Sequence, residues 1–563
     1  MIALALVVGL AGGFGAICFR HLIAFFQLLF YGDSGNLLAL AQSTPWYRMI
    51  WVPAAGGLVV GPLVYFLAKE AKGHGVPEVM EAVAVKNGII RRRIVLVKTL
   101  ASAICIGTGG SVGREGPIVQ IGSAIGSTAG QLFKVSVEQT RTLVGCGAAA
   151  GIAATFNAPI AGTMFALEII VGEFGLATFS PIVISSVTAT AISRHFLGDA
   201  PAFIVPSYEL ISAWEFPLYI ALGIFCSAVA VAFTTILYRI EDIFDAIRFP
   251  EYLKAVLGGA LLGLMGLIFP HILGVGYGAI DLCLIQKLSW WFMLILVLWK
   301  ILATSITIGS GGSGGIFAPS LFLGAMAGGS FGSLVHNVLP RITASPGAYS
   351  IVGMGAVVSA TTHGPLSAIL IIFEMTGDYK IILPLMIACI VSSLAGGRLL
   401  KESIYTLKLA RRGVNIRAGK EVNVLKSIHV EDVMGSIVET IPENLSLGKL
   451  AEKISKSKYN SFPVVDKAGN LTGILSILDY RDAAFDENLK DLVVAKDLAT
   501  ANVVTVSLDD HLYDALEKIS SKDFSILPVV SRDNPLQLLG VLTRRDIISA
   551  YDKALIKKSL ASE

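Results

Sequence analysis

A chain of 563 residues, 54% of them apolar and only 15% charged, carries more hydrophobic surface than a soluble domain can bury and more length than a single anchor needs, so most of it lies in lipid. The formal net charge of +3 is too small to argue for nucleic acid. No Ser/His/Asp or Cys/His arrangement and no P-loop points to an enzyme.

Met1 opens onto ALALVVGLAGGFGAICF without a basic n-region or a convincing small-residue cleavage site, which reads as a first membrane helix rather than a signal peptide. Stretches near the spanning length of about 20 apolar residues follow at Trp51 to Leu67, Leu218 to Leu237, Val256 to Leu273 and Trp290 to Ile308. Between Val95 and Ile192, and between Ile316 and Leu400, apolar pieces of about a dozen residues alternate with Gly, Pro and Ser clusters, too short to cross alone. Broken or re-entrant helices are expected there, tolerated where protein or a water-filled cavity satisfies the freed backbone. RRRIVLVK (Arg91, Arg92, Arg93, Lys98) and LARRG (Arg411, Arg412) flank apolar segments, and such flanks belong to the cytoplasm. The soluble tail is therefore expected on the cytoplasmic side. Cys18, Cys105, Cys146, Cys226, Cys283 and Cys389 stand singly in or beside apolar stretches, which predicts core packing and neither a disulfide framework nor a metal site.

An internal repeat runs through the apolar region. IGTGGSVGREGPIVQIGSAIG (Ile106 to Gly126) aligns without gaps on IGSGGSGGIFAPSLFLGAMAG (Ile308 to Gly328), an offset of 202, and NAPIAGTMFALE (Asn157 to Glu168) aligns on HGPLSAILIIFE (His363 to Glu374), an offset of 206. Paired interrupted segments in two homologous halves point to a midplane substrate site between them. In both copies a Gly-rich loop enters a short helix with Pro117 or Pro319 in its first turn. A helix N-terminus offers free N–H donors and a positive dipole end, which suit a small anion. Backbone donors also bind weakly enough to release it, as conduction requires.

GREGP (Gly113 to Pro117), GIFAP (Gly315 to Pro319) and GHGVPEV (Gly73 to Val79) resemble the signature loops of the CLC family of chloride channels and chloride/proton exchangers. The resemblance covers about Gly9 to Gly413. It implies that Glu115 is the gating carboxylate, that Gly113, Arg114, Gly116, Gly315, Ile316 and Phe317 surround chloride, chiefly through the N–H groups of Ile316 and Phe317, and that Tyr405 supplies an inner hydroxyl. It also implies a homodimer with one pathway per subunit. Two positions depart from the family pattern. His74 stands where a serine is usual, and an imidazole there could make transport sensitive to pH. Glu168 is followed by Ile169 where proton-coupled relatives carry a second glutamate as inner relay; Glu173, about one helical turn on, is the available substitute.

From about Ile428 an α/β pattern appears twice, as SFPVVDKAGNLTGILSILDYRD (Ser461 to Asp482) and SILPVVSRDNPLQLLGVLTRRD (Ser525 to Asp546). This resembles a tandem pair of cystathionine-β-synthase-type (CBS) domains, whose cleft in that family often takes adenine nucleotides. Ser476 with Asp479 and Thr543 with Asp546 would then hold the ribose and phosphate of ATP or AMP; the same residues equally suit helix capping.

The expected fold is mostly α, a polytopic membrane protein with inverted-repeat broken helices and a small α/β cytoplasmic tandem CBS module. The expected domains are 1–413 for transport, 414–427 as linker, and 428–490 and 491–563 as the two CBS domains. Chloride-selective anion transport gated by Glu115 is the expected function, in a prokaryotic plasma membrane. Ile169 favours a passive voltage- or pH-gated channel over a chloride/proton antiporter. A sensor or transporter of another ion that shares the tail finds less support, since hard divalent cations need clustered oxygen ligands.

Overall fold

The computed structural model describes every residue except 200–209, 415–424, 426–427, 436–438, 458, 484–489, 491, 523 and 561–563. The chain forms two compact units, Met1–Ile416 and Arg417–Glu563. The expected linker 414–427 lies almost wholly outside the described residues.

The first unit is helical. Its first half contains α1 (Ile2–Tyr31), α2 (Leu37–Ser43), α3 (Trp46–Pro62), α4 (Val76–Ala84), α5 (Arg93–Gly107), α6 (Glu115–Leu132), α7 (Val137–Phe156), α8 (Pro159–Phe165) and α9 (Leu176–Leu197). Its second half contains α10 (Glu215–Ala246), α11 (Lys254–Ile268), α12 (Tyr277–Leu284), α13 (Trp290–Gly309), α14 (Phe317–Val338), α15 (Pro346–Thr362), α16 (Pro365–Thr376), α17 (Ile382–Leu399) and α18 (Thr406–Arg411). Among the described residues, eight helices are long and apolar enough to cross a membrane. At 32 residues, α10 is about 48 Å long and so exceeds the bilayer core of about 30 Å. Its charged end, with Asp242 and Asp245, pairs with Arg411 and Lys72.

One expectation is corrected. The Gly- and Ser-rich stretches are not uniformly chopped into pieces of a dozen: α7 has 20 residues and α9 and α14 have 22 each, while α5, α8 and α16 stay short at 15, 7 and 12. The small residues lie inside these helices as contact surfaces. A Cβ on Gly122 would overlap the Gly147 carbonyl and the reverse, where α6 crosses α7; Gly324 and Gly353 meet in the same way where α14 crosses α15. Packing that close is what small residues allow between membrane helices. Five cysteines are buried as expected, but Cys18 faces outward from α1.

The second unit holds two three-stranded sheets of the same design. In one, β1 (Ile441–Pro442) runs parallel to β2 (Ser461–Val465), which pairs antiparallel with β3 (Leu471–Ser476); in the other, β4 (Val506–Ser507), β5 (Ile526–Val530) and β6 (Leu538–Thr543) repeat the order. Phe462, Val464 and Leu475 bury one face of the first sheet, and Leu527, Val529 and Leu542 the equivalent face of the second.

Candidate functional site

Two helix N-termini are clamped side by side. Gly113 and Gly315 precede α6 and α14 by two residues and exchange both backbone hydrogen bonds, N–H to O distances of 2.7 and 2.6 Å. The first N–H groups of each helix, those of Glu115 and Gly116 and of Phe317 and Ala318, have no carbonyl one turn back to accept them. Each N-terminus begins from the same turn: Gly109 and Gly311, at φ +94° and +108°, take a backbone conformation open chiefly to glycine. The next glycines, Gly110 and Gly312, then donate to Cys105 O and Thr307 O. The offset of 202 seen in the sequence is therefore a structural two-fold of main-chain donors. Ile316 and Phe317 are buried, at 1% and 2% exposure.

Loops that precede α4 and α12 close on this clamp, each fastened by a buried lysine. Lys98 on α5 donates to Ala71 O (3.0 Å) and Gly73 O (2.7 Å), and Lys300 on α13 donates to Ile272 O and Gly274 O (both 2.9 Å). Serines complete the symmetry: Ser313 Oγ donates to Ala71 O and Ser111 Oγ to Ile272 O, at 2.9 and 2.8 Å. Lys98, read from the sequence as a flanking charge, is fully buried and belongs to this fastening instead. Lys300 was overlooked, although its spacing of 202 from Lys98 inside an apolar run was a usable signal.

The first of these loops carries His74. Its carbonyl lies where a Cβ on Gly116 would fall, so the loop rests on the start of α6. The imidazole is 1% exposed, its Nε2 stands 3.4 Å from Tyr238 Oη, and its ring centroid is 5.6 Å from that of Tyr405. Tyr238 donates its own proton to Ile404 O. Lys98, Lys408, Arg412 and Glu78 surround this end, with Glu78 at 3.6 Å from Lys408 and 3.3 Å from Arg412. His74 and Tyr405, distant in sequence, are therefore neighbours in the fold.

Glu115 opens α6 and is 1% exposed. Its Oε1 accepts a hydrogen bond of 2.9 Å from Tyr277 Oη, while Oε2 has no partner. The Gly113 Cα faces both Oε2 and, within 3.2 Å of the Cβ position, the Ala318 N, which sets the carboxylate between the two N-termini. The Arg114 guanidinium lies over the Tyr277 ring, 5.5 Å from its centroid. Tyr277 escaped the sequence analysis because it is 162 residues from Glu115. Its loop, Gly274 to Tyr277, is the second-half counterpart of Gly73 to Val76 at an offset of 201.

The positions expected to relay protons separate in space and role. Glu168 caps the other half's short helix, accepting from Leu366 N (3.2 Å), Ser367 N (2.7 Å) and Ser367 Oγ (2.6 Å); Glu374 returns the favour to Ile160 N (3.1 Å) and Ala161 N (2.6 Å). Ile169 is 7% exposed and packs at Gly364. Glu173 does not follow on the same helix: the π turn Ala166–Val171 ends at left-handed Gly172, and Glu173 is exposed beyond it. Its distance of one helical turn from Ile169 therefore does not hold in the fold.

In the tail, Ser476 and Asp479 cap reciprocally, Ser476 Oγ and N each donating to Asp479 Oδ2 at 2.8 Å, with Asp479 N returning to Ser476 Oγ at 3.3 Å. Thr543 and Asp546 repeat the pattern at 2.6, 2.9 and 3.1 Å. Both pairs begin helices, Ile477–Ala483 and Arg544–Leu560, directly after β3 and β6. On the β2–β3 turn, backbone and side-chain N–H donors of Asn470 hold the Asp466 carboxyl below the usual carboxylate range. No group of three or more His, Cys, Asp or Glu side chains placed to hold a metal occurs among the described residues.

Comparison with known proteins matches both units of the chain to known families. The family described as "Voltage gated chloride channel" matches residues 56–397, and the CBS domain matches 430–486 and 495–553. A "Putative chloride channel protein ClcB-like" from Ralstonia nicotianae is 38% identical, over 73% of this chain and 97% of that one. The "H(+)/Cl(-) exchange transporter ClcA" of Yersinia pestis is 31% identical over 73% of this chain and 88% of its own. Among solved structures, a slow cyanobacterial Cl-/H+ antiporter superposes with a TM-score of 0.66 at 27% identity, covering 73% of this chain and 97% of that chain. A eukaryotic CLC transporter covers 97% of both chains at a TM-score of 0.63 and 18% identity, a likeness of fold.

Proposed function

The chain belongs to the voltage-gated chloride channel family of membrane anion transporters, and from that premise we propose that it carries chloride between the N-termini of α6 and α14, past Glu115 as gate and between His74 and Tyr405 at the inner end. The observation that carries this reading is the Gly113–Gly315 clamp with a buried carboxylate, one oxygen unpartnered, set against it. A carboxylate is itself an anion, so in its ionised form it competes with chloride for the same N–H donors, and protonation removes the competition.

Passive conduction is supported by Ile169, a buried apolar side chain at the position where coupled relatives place a carboxylate. Proton-coupled exchange is supported at least as well by the company the chain keeps, the ClcA exchangers and the cyanobacterial antiporter. Proteoliposomes under a chloride gradient separate the two: sustained uphill proton movement at a fixed ratio to chloride, lost in Glu115→Ala, establishes exchange, and chloride flux with no proton movement establishes conduction. The same proposal places the chain in a prokaryotic plasma membrane, as a homodimer with the tail in the cytoplasm. Ser476, Asp479, Thr543 and Asp546 are assigned to an ATP or AMP site that modulates transport.

A further inference from the structure

The fold contains two copies of one loop, each fastened by its own lysine, and they face different things. The first-half copy presents His74 to Tyr405 and Tyr238; the second-half copy presents Tyr277 to Glu115. We propose that Tyr277 is an outer latch on the anion gate, a positioning residue whose hydroxyl holds the ionised carboxylate of Glu115 in its seat. The proposal rests on the assignment of Glu115 as the gate.

Three observations carry it. The contact is direct, 2.9 Å from Tyr277 Oη to Glu115 Oε1, and with Oε2 unpartnered it is the carboxylate's side-chain anchor. The phenol is held from behind, because Tyr277 is the first residue of α12 and the loop before it is tied through Ile272 O and Gly274 O to Lys300. Its ring is held from the side by the Arg114 guanidinium. Tyr277 is only partly buried whereas Glu115 is almost completely so, which puts the phenol on the more accessible side of the carboxylate.

The chemistry gives the latch a direction. A phenol donates strongly to a carboxylate and weakly to a neutral carboxyl group, so the hydrogen bond favours the ionised, seated gate and loosens when Glu115 takes a proton. The charged and titratable groups facing this pair are Arg114 just before α6, Arg20 on α1 and Tyr405 before α18. Among the side chains of the described residues, Tyr277 is the one whose hydroxyl is seen to donate to Oε1.

The test is anion flux in proteoliposomes between pH 5 and 9 for Tyr277→Phe, Glu115→Gln and the double variant. A hydrogen bond to a charged group is worth enough to change an equilibrium about tenfold or more, and water at a partly open site restores some of it. Tyr277→Phe is therefore expected to raise flux at pH 7.5 about three- to tenfold and to move the pH of half-maximal flux about 0.5 to 1 unit to the alkaline side. In the Glu115→Gln background the same change should have no effect, since no ionised carboxylate remains to be held. An unshifted pH profile in Tyr277→Phe, with Glu115→Gln still unlocking flux, overturns the latch and leaves the gate standing. An equal loss of flux in both backgrounds shows a merely structural tyrosine and also overturns it. Unaltered flux in Glu115→Gln removes the gate, and the latch with it.

Discussion

At the scale of single residues, the proposed pathway turns on two side chains. As the proposed gate, Glu115 would compete with chloride for main-chain donors, and a hydrogen bond to a charged group is worth about 1.5–3 kcal/mol. Glu115→Gln or Glu115→Ala should therefore raise anion flux at neutral pH by about tenfold or more and flatten its pH dependence, read as flux from proteoliposomes at pH 5.5 and 7.5. His74 works differently. Tyr238 spends its only proton on Ile404 O, so the 3.4 Å contact requires His74 Nε2–H to donate, and Nδ1, buried and without a partner, is then a bare lone pair in the neutral ring. Such a nitrogen repels an anion. In a Glu115→Gln background, His74→Ser, which puts a hydroxyl donor in place of that lone pair, should strengthen chloride binding about threefold or more, read by calorimetry at pH 7.5. Equal affinity in both variants would remove the histidine from the path. Glu115 and His74 were both legible because each sits in a loop whose glycines and proline declare its backbone. Tyr277 was not, since nothing local to GVGYG says which distant carboxylate it will meet.

At the scale of elements, the two lysine-fastened loops decide whether the gate and inner wall hold their shape. Lys300→Met keeps most of the side-chain volume but leaves Gly274 O without its buried donor and Ile272 O with Ser111 Oγ alone, a loss of about 1–3 kcal/mol. The variant should unfold at a lower temperature in detergent and show a shallower dependence of flux on pH, because Tyr277 rides on that loop. A thermal midpoint equal to wild type would show that the carbonyls find other partners. The offsets of 202 and 206 made the duplicated halves and their paired N-termini readable in advance. The lengths of α7, α9 and α14 were misjudged for a physical reason: Gly and Ser end helices in water, but between helices in lipid they are contact surfaces. The reciprocal caps of Glu168 and Glu374 were equally hidden, as each carboxylate serves a helix in the opposite half, 198 to 214 residues away.

For the whole molecule, duplication places a complete clamp in each chain, so a dimer should carry two independent pathways. Mixed dimers containing one Glu115→Gln subunit should show two conductance classes, one per subunit, in single-molecule recordings; a single blended class would indicate a shared pore. The tail poses a sharper question, because the residues assigned to nucleotide also cap helices. Loss of a cap costs about 1 kcal/mol of stability. Asp479→Ala with Asp546→Ala should therefore lower the tail's unfolding midpoint and also abolish any ATP- or AMP-dependent shift of it. If the midpoint falls but no nucleotide shift exists even in wild type at millimolar concentration, the two domains are structural modules. Both CBS repeats were legible from SFPVV and SILPVV, since strand, proline and turn recur together; which ligand they take is not written in a motif whose hydroxyl and carboxylate satisfy each other.

The clamp has a further consequence for how such a protein can vary. In the proposed pathway its grip on the anion would come from peptide groups, which all amino acids share, so a saturation survey of residues 113–117 and 315–319 should register the site through small residues instead of polar ones. An added methyl at Gly113 collides with Glu115 Oε2, at Gly116 with His74 O, and at Gly315 it falls 2.7 Å from Gly116 N. Those three glycines should be nearly intolerant of change in such a survey, while Glu115, Tyr277 and His74 accept substitution with altered kinetics. Descendants of this sequence can thus retune when they transport, through side chains, long before they can alter what they carry.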